Sequence, residues 1–152
     1  MRIVLHQPEI AGNLGNILRT CACFGLPLSI IEPLGFPLAA KDVRRAAMDY
    51  GRAVELTRHA SWDAYRMASS ARRILFTTKG AERLDRFAFR PGDHIVFGSE
   101  SGGAPDAVHD ACDARVVIPL LDGARSLNLS NAVALVAWEA LRQTAGLPKA
   151  SP

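Results

Sequence analysis

The sequence predicts an α/β fold, a parallel sheet with flanking helices, on three observations. Short apolar runs rich in β-branched residues alternate with stretches of helical periodicity over the whole length, which is how repeated βα units read in a sequence. No repeat, low-complexity tract or linker interrupts the series, so a single domain is expected over residues 1–146, followed by a flexible tail at 147–152. The 152 residues, 49% hydrophobic and 22% charged, suffice to bury a core without disulfide or metal staples.

The elements follow in order. RIVLH (2–6) is the first strand. In the helix expected near 14–24, Leu14, Ile17, Leu18, Cys21 and Phe24 recur at helical spacing and form the buried stripe, leaving Asn16, Arg19, Thr20 and Cys23 off it. LSIIE (28–32) is a strand, then comes a helix near 40–49, a strand AVELT (53–57) and a helix near 61–70. RILFTT (73–78) and HIVFG (94–98) are strands, Pro105 opens a short helix near 105–111, and RVVIPL (115–120) is the last strand. The closing helix, near 128–143, is apolar on most sides through Ala132, Val133, Leu135, Val136, Ala137, Trp138 and Leu141. A domain this small most easily buries such a helix by dimerising.

Cys21, Cys23 and Cys112 are an odd count with no CxxC pair, and all three read as small buried residues. The four histidines have no metal-ligand spacing, so no metal is expected. No apolar run approaches the roughly 20 residues that span a bilayer and no signal stretch opens the chain; no membrane association and a cytoplasmic location are expected. Residues 41–73 hold eight bases against four acids, Arg44 and Arg45 among them, and fifteen of the chain's eighteen bases are arginine. That is either a surface for a polyanion such as RNA or a solvated helix face.

Three polar segments stand out. Asn16 and Arg19 lie one turn apart and can face a common polar ligand, although a plain surface arginine has the same pattern. HIVFG runs into SESGGAP (99–105), where Gly98, Gly102 and Gly103 allow close backbone approach; Glu100 either holds a ligand's hydroxyl or amine or ties the loop's own amides together. Ser126, Asn128, Ser130 and Asn131 crowd the start of the closing helix, part of which is simple capping. GxGxxG, GxxxxGK[ST] and GxSxG are all absent, so a conventional dinucleotide site, a P-loop or a nucleophile elbow is not supported.

In this order and spacing, N-x-G-N-I-x-R-T (13–20), F-G-S-E-S-x-G (97–103) and I-P-L … S-L-N-L-S-N-A-V (118–133) resemble the motifs of the SPOUT methyltransferases, most nearly the minimal single-domain TrmL (YibK-like) group. The likeness covers almost the whole chain, including IIEPLGFPL (30–38), MDY (48–50), TRH (57–59) and TTKG (77–80). It implies a C-terminal trefoil knot, an arrangement otherwise close to absent among folds. It also implies S-adenosylmethionine bound in that knot, S-adenosylhomocysteine as product, and a homodimer through the C-terminal helix.

The implied reaction is methylation of the ribose 2′-hydroxyl of the wobble cytidine or uridine of tRNA, recognised through its anticodon stem-loop. Carried over by motif, the cofactor is held by Phe76, Thr77, Gly98, Glu100, Ile118, Leu120, Ser126, Leu127 and Asn128. Arg19 is the catalytic position, as general base or as a clamp on phosphate and developing charge. Asn13, Asn16 and Asn131 support it, with Arg44 and Arg45 toward the RNA. Gly102, Ala104 and Trp138 depart from the group's usual residues, which bears on RNA choice more than on the cofactor. The alternatives are the same chemistry on another tRNA position or on ribosomal RNA, and a non-catalytic RNA-binding dimer.

Overall fold

Ile3, Val4 and Leu5 are all fully buried. Successive strand residues point to opposite faces, so this strand must be covered on both sides, as in a parallel sheet between helix layers. The computed structural model, which describes residues 1–39, 41, 45 and 53–149, has that architecture. Its elements are β1 (Arg2–His6), α1 (Ala11–Phe24), β2 (Leu28–Ile31), β3 (Leu56–His59), α2 (Trp62–Ala68), β4 (Arg73–Phe76), β5 (Glu82–Arg83), a 3-10 turn (Leu84–Arg86), β6 (His94–Phe97), α3 (Asp106–Asp110), β7 (Ala114–Val117) and α4 (Leu129–Gln143). All strand pairs are parallel, in the order β3-β2-β1-β6-β4-β7-β5, with Ile3 opposite Leu28 on one side and Ile95 on the other.

On one face Ile3, Leu5, Ile30, Ile74 and Phe97 pack against Leu14, Ile17, Leu18 and Cys21 of α1 and against Val133, Val136, Ala137, Ala140 and Leu141 of α4. On the other, Val4, Ile31, Leu75 and Val96 meet Trp62 and Tyr65 of α2 and Val108 of α3. Gly25 ends α1 in the left-handed conformation, φ 66°, and the Leu26 amide turns back to the Cys21 carbonyl at 2.9 Å, so the chain can re-enter the sheet three residues later. Asn128 caps α4, its Oδ1 accepting from the Ser130 amide at 2.9 Å.

Several expectations need correction. The strand expected at 53–57 lies at Leu56–His59, because parallel pairing sets Leu28 opposite Leu56 and Ile31 opposite His59. β4 ends at Phe76 and β7 at Val117, leaving Thr77, Ile118 and Leu120 in loops. β5 was not expected: two exposed residues at a sheet edge carry no apolar pattern. Cys23 is exposed and Cys112 half-buried; only Cys21 is fully enclosed, since Cys23 falls off the stripe that Cys21 shares. Of the helix expected near 40–49 only Lys41 and Arg45 are described, both helical; its other positions, Arg44 among them, and the tail residues 150–152 lie outside the described residues.

Three histidines are held below their ordinary pKa of 6.5. His94, half-buried beside β1, is pushed down to about 4, first by burial and then by the Arg2, N-terminal and Arg73 charges. The Tyr65 hydroxyl lies 2.7 Å from its Nδ1, a hydrogen bond in which a neutral imidazole can act as donor or acceptor according to its tautomer. The folded state therefore binds fewer protons than the unfolded one once pH falls below about 6.5. Stability is full above that value and declines as pH drops toward about 4. Urea unfolding between pH 7 and 5 is expected to show this decline, and His94→Gln a shallower one, His6 and His59 supplying the remainder; an equal slope in the variant would sink the assignment.

Candidate active site

The carboxyl ends of β1, β4, β6 and β7 open on the same side of the sheet, and an open α/β sheet binds ligands at such an edge where strand order reverses. Here the chain steps outward from β1 to β2 and β3, then crosses to β4 on β1's other side, and β6 later fills the place between β1 and β4. The loops after these strands build the site.

The loop after β6 closes on itself. Ser99 and Gly103 exchange backbone hydrogen bonds, both 3.0 Å, and the Gly102 amide donates to Ser99 Oγ at 3.3 Å. This fold brings residue 98 against the Gly103–Ala104 peptide, where a Cβ would stand 2.2 Å from the Gly103 carbonyl carbon, so only glycine fits.

From this loop Glu100 reaches the start of α1. Its carboxylate accepts from the Glu9 amide at 2.7 Å, the Ile10 amide at 3.3 Å and Asn13 Nδ2 at 2.9 Å. Of the two roles left open for Glu100, the amide-tying one takes a different form, since the amides it ties are those of another segment and not its own loop's. α1 has neither a side-chain cap of its own nor an acid in its first turn, and Glu100 supplies the negative charge that a helix amino terminus favours. In turn the Ser101 amide and hydroxyl donate to Glu9 at 2.8 and 2.7 Å, holding the Glu9 carboxyl below the usual carboxylate range, the hydroxyl contributing most.

Asn13, 5% exposed, joins the third segment: its Oδ1 accepts from Asn128 Nδ2 at 2.9 Å, and Asn128 Oδ1 accepts from the Ser130 amide and hydroxyl. One hydrogen-bonded chain, Glu100 to Asn13 to Asn128 to Ser130, therefore links all three motif segments. Asn13→Ala removes a buried side chain that bonds the half-buried Glu100 carboxylate and the exposed Asn128 amide, an expected cost of about 1–3 kcal/mol in chemical unfolding. Asn13→Asp should cost more at pH 7, because it sets a second carboxylate against Glu100; equal stability of the two variants would refute the linkage.

The segments enclose a cleft of about 510 Å³. Phe76, Thr77, Gly98, Glu100, Ile118, Leu120, Ser126, Leu127 and Asn128, the nine positions expected to hold a cofactor, all line it, together with Asn13. Asn16 and Arg19 do not: both are exposed on α1, as Asn131 is on α4. Arg45 is exposed and does not line the cleft, and Arg44 lies outside the described residues. Sequence reasoning missed Ile10, Ser101 and Arg125, which also line the cleft, and Glu9, which braces it. Arg125 was legible as the cation next to Ser126; Glu9 carried no motif. Among the described residues no three His, Cys, Asp or Glu side chains gather as a metal site, and no helix is long and apolar enough to cross a membrane.

Comparison with known proteins places the chain in a family. Residues 1–138 match the model of the SpoU rRNA Methylase family. A tRNA (cytidine(34)-2′-O)-methyltransferase of Beijerinckia indica subsp. indica is 47% identical over 150 residues, covering 97% of this chain and 94% of its own. The Escherichia coli (strain K12) protein of the same description is 42% identical over 146 residues, covering 94% and 93%. A solved structure concerned with the 2-OH methylation of C/U34 on tRNA superposes with a TM-score of 0.92 at 42% identity, over 95% of this chain and 96% of that one. The SpoU methyltransferase AviRb of Streptomyces viridochromogenes, solved with AdoMet, shares the fold with a TM-score of 0.83 at 24% identity, over 94% of this chain and 60% of that one.

Proposed function

The chain belongs to the SpoU rRNA methylase family, and from that premise we propose that it transfers the methyl group of S-adenosylmethionine to the ribose 2′-hydroxyl of the wobble nucleotide, C34 or U34, of tRNA. The observation that carries this reading is the meeting of three segments, up to 115 residues apart, around one cleft through the Glu100–Asn13–Asn128 chain.

The cleft suits the cofactor. Its volume falls within the ~300–1,000 Å³ of small-molecule sites, and Ile118, Leu120 and Leu127 offer apolar walls beside backbone groups at Gly98 and Thr77. When bound, S-adenosylmethionine supplies an electrophilic methyl on a sulfonium and leaves as S-adenosylhomocysteine. Phe76, Ile118, Leu120 and Leu127 would hold the adenine. Thr77, Gly98, Ser126 and Asn128 would bind its polar edges, while Glu100 keeps the loop in place. Arg19, with Asn16 and Asn131, serves the acceptor side: its fork of donors grips the phosphate next to the target ribose and stabilises the charge that develops on the hydroxyl oxygen as its proton passes to solvent water. A guanidinium is a poor base near neutrality, which favours the clamp over the base.

The same reading takes residues 1–146 as one methyltransferase domain acting in the cytoplasm on an anticodon stem-loop, with Arg44 and Arg45 on the RNA side. It includes a homodimer through α4, supported by the exposed Leu135 and Trp138, 43% and 51% accessible, with Phe24 of α1 beside Trp138. It also includes the C-terminal knot. In its support, the chain leaves β4, pairs β5 on the far side of β7, and meets α4 where Gln143 bonds the Phe87 carbonyl and Phe89 amide, both at 3.0 Å, before β6 re-enters the sheet.

The test is incubation with labelled S-adenosylmethionine and total tRNA lacking 2′-O-methylation, followed by nucleoside analysis. Label in Cm or Um at position 34 is expected. Label at another tRNA position or in ribosomal RNA would replace the substrate and keep the chemistry; cofactor binding with no transfer to any RNA would favour a non-catalytic RNA-binding dimer.

A further inference from the structure

One carboxylate beside the cleft has no part in the reaction as read above. Glu9 is exposed, yet both of its oxygens are engaged by a single residue of the opposite loop, the Ser101 amide and hydroxyl. In the other direction Glu100, next to Ser101, accepts from the amides of Glu9 and Ile10. Two carboxylates thus cross between two segments and exchange four hydrogen bonds, each ionic and so stronger than a neutral pair. The backbone behind Glu9 is braced as well: the Gly35 amide donates to the Pro8 carbonyl at 3.0 Å, and a Cβ on Gly35 would stand 2.8 Å from the Glu9 Cα.

We infer that Glu9 is a positioning residue for methyl transfer, one that fixes the 98–103 loop against the start of α1 and so sets the helix carrying Arg19 relative to the cofactor cleft. The inference rests on the methyl-transfer reading. With Glu100 alone the loop is held through one side chain, by three bonds to the start of α1; a second, oppositely directed carboxylate ties the neighbouring residue, Ser101, as well and restricts rocking about the first. Displacements near 1 Å between reacting groups cost on the order of a hundredfold in rate, so small rocking matters. Glu9 itself does not line the cleft, and without it the Ser99–Gly103 bridge and the Glu100 bonds still shape the loop, so its loss falls more on the transfer step than on cofactor affinity.

The experiment compares the wild-type chain with Glu9→Ala, Glu9→Gln, Ser101→Ala and the Glu9→Ala/Ser101→Ala pair. It reads single-turnover transfer to tRNA, calorimetric affinity for S-adenosylmethionine and amide hydrogen exchange in the free protein. Glu9→Ala is expected to slow transfer about tenfold or more while the cofactor Kd stays within about threefold. Glu9→Gln keeps part of the rate, because its carbonyl oxygen still accepts one bond. The double variant is no slower than Glu9→Ala, since the two residues act as one contact. Ser101→Ala removes only the hydroxyl and covers the case in which Glu9→Ala folds poorly. Wild-type rate in Glu9→Ala, an equal loss of rate and cofactor affinity, or multiplying effects in the double variant would overturn the inference. Exchange at the Ser101 and Ile10 amides separates the two levels. Protection that does not fall in Glu9→Ala overturns the clamp whatever the RNA result, whereas wild-type protein that methylates no tRNA overturns the reaction reading while the clamp is still read by exchange.

Discussion

Gly98→Ala is expected to weaken S-adenosylmethionine binding by at least about a hundredfold, roughly 2.7 kcal/mol, and to abolish methyl transfer while the sheet stays folded. The added Cβ would stand 2.2 Å from the Gly103 carbonyl carbon and 2.3 Å from the Ala104 nitrogen, both backbone atoms that no side-chain rotation can move aside. Relief requires opening the Ser99–Gly103 bridge, and that bridge is what points Glu100 at Asn13 and the amides of α1. The damage therefore spreads from one methyl group to the cleft's contact with two other segments. It does not spread to the core, because Phe97 and the residues before it keep their places between β1 and β4. Gly102→Ala is the control: its Cβ would meet only Ser99 Oγ, at 3.5 Å, an ordinary contact. Calorimetry with circular dichroism on the two variants checks the contrast, and comparable cofactor affinities would show that residue 98 tolerates a side chain.

The layers of the fold were legible because strands buried on both faces and helices with one apolar stripe leave strong patterns, as RIVLH and Leu14 to Cys21 do. Boundaries were less so. AVELT has the better apolar run, yet pairing with β2 selects Leu56–His59, and two exposed residues at an edge, Glu82 and Arg83, have no pattern to read at all. Partners 2.9 Å apart in space but 115 residues apart in sequence, as Asn13 and Asn128 are, leave no local trace.

The site was legible in the same uneven way. Its glycines and its run of serine and asparagine carry types that are costly outside special backbone or polar settings, so they mark positions well. What each one touches is a tertiary fact. Asn13 reads as one polar residue at the start of a helix, and only the fold shows it buried between Glu100 and Asn128. Glu100 left two roles open because an acid in a glycine-rich loop has no means of announcing that it caps a helix 90 residues earlier. Glu9 was invisible for the converse reason: an exposed acid before a helix is common, and its meaning here comes wholly from Ser101.

Arg19→Ala is expected to lower single-turnover methyl transfer by about a hundred- to a thousandfold, the loss of about 3–4 kcal/mol typical when a preorganised donor to developing charge is removed. Cofactor affinity should stay within about threefold, or about 0.7 kcal/mol, because Arg19 is exposed on α1 and does not line the cleft. Arg19→Lys then separates the two roles a cation can have at that position. As a clamp, lysine keeps the charge but loses the planar fork that matches phosphate, so part of the rate returns and the pH profile keeps the wild-type shape. As a base, lysine with an ordinary pKa near 10.4 sheds its proton more readily than a guanidinium, so the variant's rate should climb with pH between about 7 and 10 and approach or exceed wild type at the top of that range. A parallel profile with a constant deficit assigns Arg19 to the phosphate and the developing charge; a rising one assigns it to the proton, and loss of cofactor binding in Arg19→Ala would move the residue from the acceptor side to the cleft itself.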